Sequence, residues 1–142
     1  DCLLSRGLGD VYKRQIVVVS IPGAYTPICH QQHIPPLVKR ADEVKAKGVD
    51  AIYVIASNDP YVMSAWGIFN NAKDKVVFAS DLNIAFSKAL GATIDLSFKD
   101  MGERTARYAL IIDDLKVVDF GSDEGDTGKL QNASVETILQ KL

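Results

Sequence analysis

The stretch Ile16-Val-Val-Val-Ser-Ile21, followed at once by Pro22-Gly23, constrains this chain more than any other. Nearly every residue in it is apolar and most are β-branched, the composition of a central strand covered on both faces. Pro22 and Gly23 turn the chain out of that strand. The turn leads to Thr26-Pro-Ile-Cys29, which reads as a helix start, with Thr26 as N-cap and Pro27 at the first helical position, where its missing N–H costs nothing. Cys29 is thereby delivered to the first helical turn. A cysteine there feels the partial positive charge of the helix start and unpaired backbone N–H groups, both of which favour thiolate over thiol. A strand-to-helix corner can equally bury an inert cysteine, and spacing alone does not separate the two.

From Ile28 to Lys47 the apolar residues Ile34, Leu37, Val38, Ala41 and Val44 follow a helical period. An early break or kink is expected at Pro35-Pro36, because neither residue can donate a backbone hydrogen bond. Gly48 stops the helix and Asp50 to Ala56 reads as a second buried strand, which completes a parallel β-α-β unit. Beyond it the sequence predicts a helix from Pro60 to about Asn71, with Asn58 and Asp59 as its turn and cap residues. A short strand over Lys75–Ala79 and a helix over Leu82–Leu90 ended by Gly91 follow. Thr93 to Glu103 reads as irregular. Ala106–Asp113 and Lys116–Phe120 alternate like an antiparallel hairpin, and Ser134 caps a last helix running to Leu142. The fold class is α/β, and the order is that of the thioredoxin fold with an added helix and strand before the hairpin.

With 142 residues, 47% of them hydrophobic, the chain is long enough to bury a core as one soluble domain. Its formal charge of -2 is spread over interspersed acids and bases, so nothing points to nucleic acid or an anionic membrane as partner. The longest apolar runs are strand-sized, far short of the ~20 residues of a membrane span. Two cysteines do not make a multi-disulfide scaffold, which leaves a reducing compartment, the cytoplasm, as the expected location. Cys29, His30 and His33 have no second cluster with which to complete a zinc site; His33 is expected to help hold the helix start and His30 to lie at the surface, and the 121–128 loop, which lacks the ligand periodicity of a calcium-binding loop, reads as solvated.

The spacing of Pro22, Thr26 and Cys29 resembles the active-site motif of peroxiredoxins. Further segments resemble the peroxiredoxin-five subfamily, type II in plants: His33-Ile-Pro35-Pro36, Ser57 to Trp66, Ser80 to Gly91, and Gly102 to Asp113. Together these run from Gln15 to the C-terminus. The resemblance implies a thioredoxin-like fold in its peroxiredoxin variant over residues 16–142, and a thiol peroxidase that reduces hydrogen peroxide and alkyl hydroperoxides as Cys29 becomes a sulfenic acid. It further implies that Thr26 orients the peroxide, Arg107 pairs with thiolate and peroxide, and Pro22 shields the sulfur. Arg104 is the competing arginine, nearer the loop. No cofactor or metal is implied; the partners are an external thiol reductant and a second copy in a homodimer.

Acidity alone cannot supply the rate. Lowering a thiol pKa from ~8.5 to ~6 raises the thiolate fraction at pH 7 about thirtyfold, but the weaker nucleophile loses roughly tenfold or more at a Brønsted slope of ~0.4–0.5. Most of the acceleration must come from fixed donors that stabilise the charge developing on the leaving oxygen. That is the part Arg107 is expected to play.

Asp10-Val-Tyr-Lys-Arg-Gln15 can be back-translated into the transposon end sequence used to tag sequencing libraries. Residues 1–15 are accordingly read as adapter-derived, which leaves Cys2 without a role and the native start missing. Downstream, the positions where the subfamily places a resolving cysteine hold Val54 or about Asn132. The expected mechanism is therefore one-cysteine, with glutathione or a glutaredoxin as reductant and thioredoxin as the runner-up. Two other readings are weaker. Disulfide exchange needs a second cysteine where Gln32 stands, and a redox sensor or chaperone-like binding protein without turnover would not need Thr26 and Arg107.

Overall fold

The computed structural model describes residues 15–123 and 130–142. Residues 1–14, with Cys2 and nearly all of the segment read as adapter-derived, lie outside them, as do residues 124–129, which take in most of the 121–128 loop read as solvated. A five-stranded sheet organises the rest. β1 (Gln15–Ser20) is its centre, flanked by β2 (Ala51–Ala56) and then β3 (Val77–Ser80) on one side, and by β6 (Tyr108–Asp113) and β7 (Lys116–Ser122) on the other. β1, β2 and β3 run parallel, while β6 and β7 pair antiparallel.

The alternation of β1 divides the core in two. Val17 and Val19 face one cluster, with Cys29, Ile34, Leu37, Met63, Trp66 and Ile138. Ile16 and Val18 face the other, with Ile55, Ala92, Ala106, Tyr108 and Leu110. Every β1 side chain from Ile16 to Ser20 is buried, as a strand sandwiched between two layers requires. The first layer comprises α1 (Ile34–Lys39), α2 (Ala41–Ala46), α3 (Pro60–Phe69) and α5 (Val135–Lys141); α4 (Ala85–Ala89) lies between β3 and a short strand pair.

Three expectations are corrected. The helix read over Ile28–Lys47 is not one piece: it opens as a wide π-helical turn over Cys29–His33, becomes α1, and breaks at Arg40 before α2. The prolines are the cause. The rings of Pro35 and Pro36 would clash with the carbonyls of Gln31 and Gln32 in a regular helix. The chain widens ahead of them, so that the Ile34 N–H reaches the carbonyl of Cys29. Thr93–Glu103 is not wholly irregular, since β4 (Thr93–Asp95) and β5 (Glu103–Thr105) pair antiparallel across it. The Leu82–Leu90 helix begins as a tight turn over Leu82–Ile84, with Asn83 and Ile84 at positive φ, and only α4 is regular.

Other local signals act as the residue types dictate. The Asp59 carboxylate accepts from the N–H groups of Tyr61 and Val62 at 2.9 and 3.0 Å, capping α3, and the Ser134 hydroxyl accepts from the Thr137 N–H at 3.2 Å, capping α5. Asp114 and Leu115 both take positive φ in the β6–β7 turn, the geometry that matches strand twist in a tight hairpin.

A side-chain clamp joins the end of β1 to the segment ahead of β6. The Ser20 hydroxyl donates to the Ala106 carbonyl at 2.8 Å, and the Thr105 hydroxyl donates to the Ile21 carbonyl at 2.6 Å. Both hydroxyl-bearing residues are fully buried. Thr105→Val keeps the shape and leaves the Ile21 carbonyl without this donor, so it is expected to lower stability by about 1–3 kcal/mol in urea denaturation. A change within about 0.3 kcal/mol would show that the clamp carries no load.

Candidate active site

The clamp decides what reaches the Pro22–Cys29 loop. Ser20 stands opposite Tyr108 in the antiparallel register, so the residue after Ser20 and the residue before Tyr108, Ile21 and Arg107, arrive at the same end of the sheet. Arg107 is thus set beside a motif far away in sequence. The loop itself is pinned from the other side, where the Asn58 side-chain oxygen accepts from the Ala24 N–H at 2.8 Å. Asn58 was expected to be only a turn residue for α3; its actual partner is the motif.

Within the loop, Tyr25 takes φ 62°, a left-handed conformation costly for a residue with a side chain. Its ring lies against those of His30, Trp66 and Phe69, at 5.3, 5.9 and 6.0 Å between centroids. Trp66 is fully buried and its Nε1–H donates to His30 Nδ1 at 2.9 Å. His30, expected at the surface, is a half-buried member of this aromatic cluster.

Thr26 precedes the helical turn, as expected of an N-cap, but its hydroxyl does something else. It donates to the Gly23 carbonyl at 2.7 Å. With its proton committed, the Thr26 oxygen has lone pairs left to accept a hydrogen bond from a bound O–H group. Pro22, Thr26, Pro27 and Ile28 line a pocket of about 250 Å³, completed by Leu96, Lys99, Met101 and Arg107. Three of the four residues expected at the site, Pro22, Thr26 and Arg107, therefore share one cavity. Cys29 lies directly after Ile28 and is a free cysteine, 1% exposed, packed into the core rather than lining the pocket wall. Arg104 is absent from that wall; its Nε donates to the Met101 carbonyl at 2.8 Å.

Arg107 is 3% exposed. Its Nη1 lies 2.8 Å from Nδ1 of His33, and His33 Nε2 lies 2.7 Å from the Ala133 carbonyl. A carbonyl only accepts, so Nε2 carries the proton and Nδ1 offers its lone pair to the guanidinium. His33, expected to hold the helix start, instead faces inward from the π turn and bridges two distant segments. Asp123 completes the arrangement. Its buried carboxylate accepts from the N–H groups of Gln131, Asn132 and Ala133 at 3.0, 2.8 and 3.1 Å, folding the backbone that presents the Ala133 carbonyl. Its own N–H donates to the Arg107 carbonyl at 2.9 Å. Nothing in the local sequence signals this chain of contacts, because its members come from four separate segments. Among the described residues, no group of three or more His, Cys, Asp or Glu side chains is placed to hold a metal.

Residues 7–139 match the Redoxin family model. A protein of Malassezia furfur named as a peroxiredoxin is 81% identical over 129 residues, covering 91% of this chain and 73% of its own length. Among solved structures, reduced Prx3 of Vibrio vulnificus in complex with hydrogen peroxide superposes with a TM-score of 0.85 at 35% identity, over 94% of this chain and 84% of that one. Peroxiredoxin 5 of Alvinella pompejana gives a TM-score of 0.75 at 32% identity, over 95% and 85% of the two chains.

Burial, and after it the Arg107 guanidinium, pushes the His33 pKa down from 6.5 to about 4, against the opposing pull of the Ala133 hydrogen bond and of Asp123. Between these two values the unfolded chain holds a proton on His33 that the folded chain does not. Stability contributed by the neutral ring is thus full above about pH 6.5 and drains away as pH falls towards 4, by roughly 3 kcal/mol in all. In urea denaturation, wild type is expected to lose about 2 kcal/mol more than His33→Gln between pH 7 and pH 4.5. Equal losses would contradict the assignment of a neutral ring.

Proposed function

The chain belongs to the peroxiredoxin family, of the peroxiredoxin-five type, and from that premise we propose that Cys29 is the peroxidatic thiol of a one-cysteine enzyme recycled by glutathione or a glutaredoxin. Thiol peroxidase activity comes with the family, and it needs no prosthetic group because the cysteine sulfur supplies the electrons. The residue roles and the reductant are the proposal.

The Cys29 thiolate attacks the terminal oxygen of a hydroperoxide ROOH. A sulfur–oxygen bond forms, the O–O bond breaks, and RO⁻ leaves and takes up a proton, giving ROH and Cys29 sulfenic acid. Thr26 accepts the hydrogen bond of the peroxide O–H, Arg107 stabilises the negative charge gathering on the leaving oxygen, and Pro22 keeps water from the sulfur. The observation that carries this division of labour is the single pocket shared by Pro22, Thr26 and Arg107 beside the Cys29 turn. Its walls suit small alkyl hydroperoxides as well as hydrogen peroxide, since Leu96, Met101, Ile28 and the prolines are apolar.

One glutathione thiolate then attacks the sulfenic sulfur, a sulfur–sulfur bond forms as the S–O bond breaks, and hydroxide leaves and takes up a proton to become water; a second thiol displaces Cys29 from the mixed disulfide, returning the thiol. The support for an external resolver is that the sequence holds no cysteine after Cys29. A reducing cytoplasm is the setting in which such a thiol pool is available. The proposed assembly is a homodimer, supported by the apolar surface that Tyr25, Ile68 and Phe69 expose, at 46%, 76% and 62%.

Stopped-flow mixing with hydrogen peroxide tests the roles. Arg107→Ala is expected to slow Cys29 thiol loss about 10²-fold or more, a loss typical of removing an oxyanion donor, and Arg104→Ala far less; the opposite order would transfer the role to Arg104. The wild-type protein, sedimenting as a dimer, is expected to turn over with glutathione and glutaredoxin. Turnover with thioredoxin alone, or a monomer of full activity, would remove those parts of the proposal.

A further inference from the structure

We propose that His33 is a positioning residue for the peroxidase reaction, holding the Arg107 guanidinium in place through Nδ1 while the backbone of residues 131–133, held by Asp123, fixes the orientation of its ring. The proposal rests on the role given above to Arg107 and adds what makes that role geometrically possible.

Arginine is a long side chain, and a donor stabilises a developing oxyanion only where it is already aimed. The Arg107 guanidinium makes a 2.8 Å contact to an imidazole that is itself 1% exposed and cannot swing. The ring is anchored at its far nitrogen by the 2.7 Å bond to the Ala133 carbonyl. That carbonyl does not wander either, because three consecutive N–H groups of its segment end on the Asp123 carboxylate. The π turn matters as well: it buries Cys29 and His33 together, so the residue carrying the sulfur and the residue aiming the guanidinium are placed by one backbone feature. A neutral imidazole is suited to this position. A carboxylate there would grip the guanidinium more tightly, but would also cancel the charge that the leaving oxygen has to feel.

The competing account makes His33 a packing residue whose important bond is the one to Ala133. Two substitutions separate them, because asparagine and glutamine each reproduce one nitrogen of the ring. In His33→Asn the side-chain oxygen falls where Nδ1 was and still accepts from Arg107, while the tie to Ala133 is lost. In His33→Gln the amide nitrogen falls where Nε2 was and still donates to Ala133, while the acceptor for Arg107 is lost. The readout is the single-turnover rate constant for Cys29 oxidation by hydrogen peroxide, which involves no reductant. The positioning role predicts a drop of about tenfold or more in His33→Gln and recovery to within about threefold of wild type in His33→Asn. The reverse order, equal losses in both, or no loss in either would overturn it.

Arg107→Ala is measured alongside. If that variant keeps the wild-type rate, the role of Arg107 itself fails. If it collapses while the two His33 variants break the predicted order, only the positioning role fails. Nitrogen NMR of the wild-type protein supplies a check independent of whether the variants fold: His33 is expected to be protonated at Nε2 and bare at Nδ1, and the opposite tautomer would overturn the proposal.

Discussion

The clamp between the end of β1 and the segment 105–107 is the constraint on which the rest of the site depends. The Pro22–Cys29 motif is local and would exist as a turn without it, but Arg107 is brought to that turn only by the register that sets Ser20 opposite Tyr108. Two buried hydroxyls, of Ser20 and Thr105, hold the crossing where the pairing of β1 with β6 ends. Buried backbone groups must find partners, and here the partners are chosen so that the exit of one strand and the entry of another cannot drift apart. The candidate site is therefore a consequence of how a central parallel strand meets an antiparallel neighbour.

From that crossing outwards, each part of the candidate site has its own structural support. Asn58 pins the loop at Ala24, the aromatic cluster of Tyr25, His30, Trp66 and Phe69 packs its outer side, and the prolines at 35 and 36 force the wide turn that buries both Cys29 and His33. The turn explains a feature that would otherwise look wasteful. A regular helix after Cys29 would be simpler to fold, yet would rotate the residues that follow relative to the sheet. Widening one turn adjusts that phase over five residues. Burial of the cysteine at 1% exposure fits a site in which the substrate comes to the pocket that Thr26 and Arg107 line, and the sulfur does not reach into solvent.

Much of this was legible in the sequence where the determinants are local. The β-branched run at Ile16, the Pro-Gly exit, the caps at Asp59 and Ser134 and the alternation of the hairpin all express their structure within a few residues. The resemblance carried Arg107 to the site by analogy, and the register supplies the physical reason. What escaped reading depends on distant partners. His33 looks like a helix-start residue until Arg107 and Ala133 are seen on either side of its ring, and Asp123 looks like one more acid in a polar loop until its three N–H donors are placed. Thr93 to Thr105 escaped for a different reason. Its two strands are three residues each, too short to show a period, and they exist because they pair with one another.

The central claim is that this scaffold accelerates attack on a peroxide specifically, through an acceptor that orients it and a guanidinium fixed at the leaving oxygen, and does not create a generally aggressive thiol. The rate constants of Cys29 with hydrogen peroxide and with iodoacetamide, measured at one pH on the same preparation and compared with a free cysteine, test this directly. Iodoacetamide also reads the sulfur nucleophile but presents no peroxide oxygen to Thr26 and Arg107. The account predicts oxidation by peroxide several orders of magnitude faster than the free thiol and alkylation no more than about tenfold faster, in line with the few-fold gain available from thiolate activation alone. Acceleration of both reactions by the same factor would contradict it.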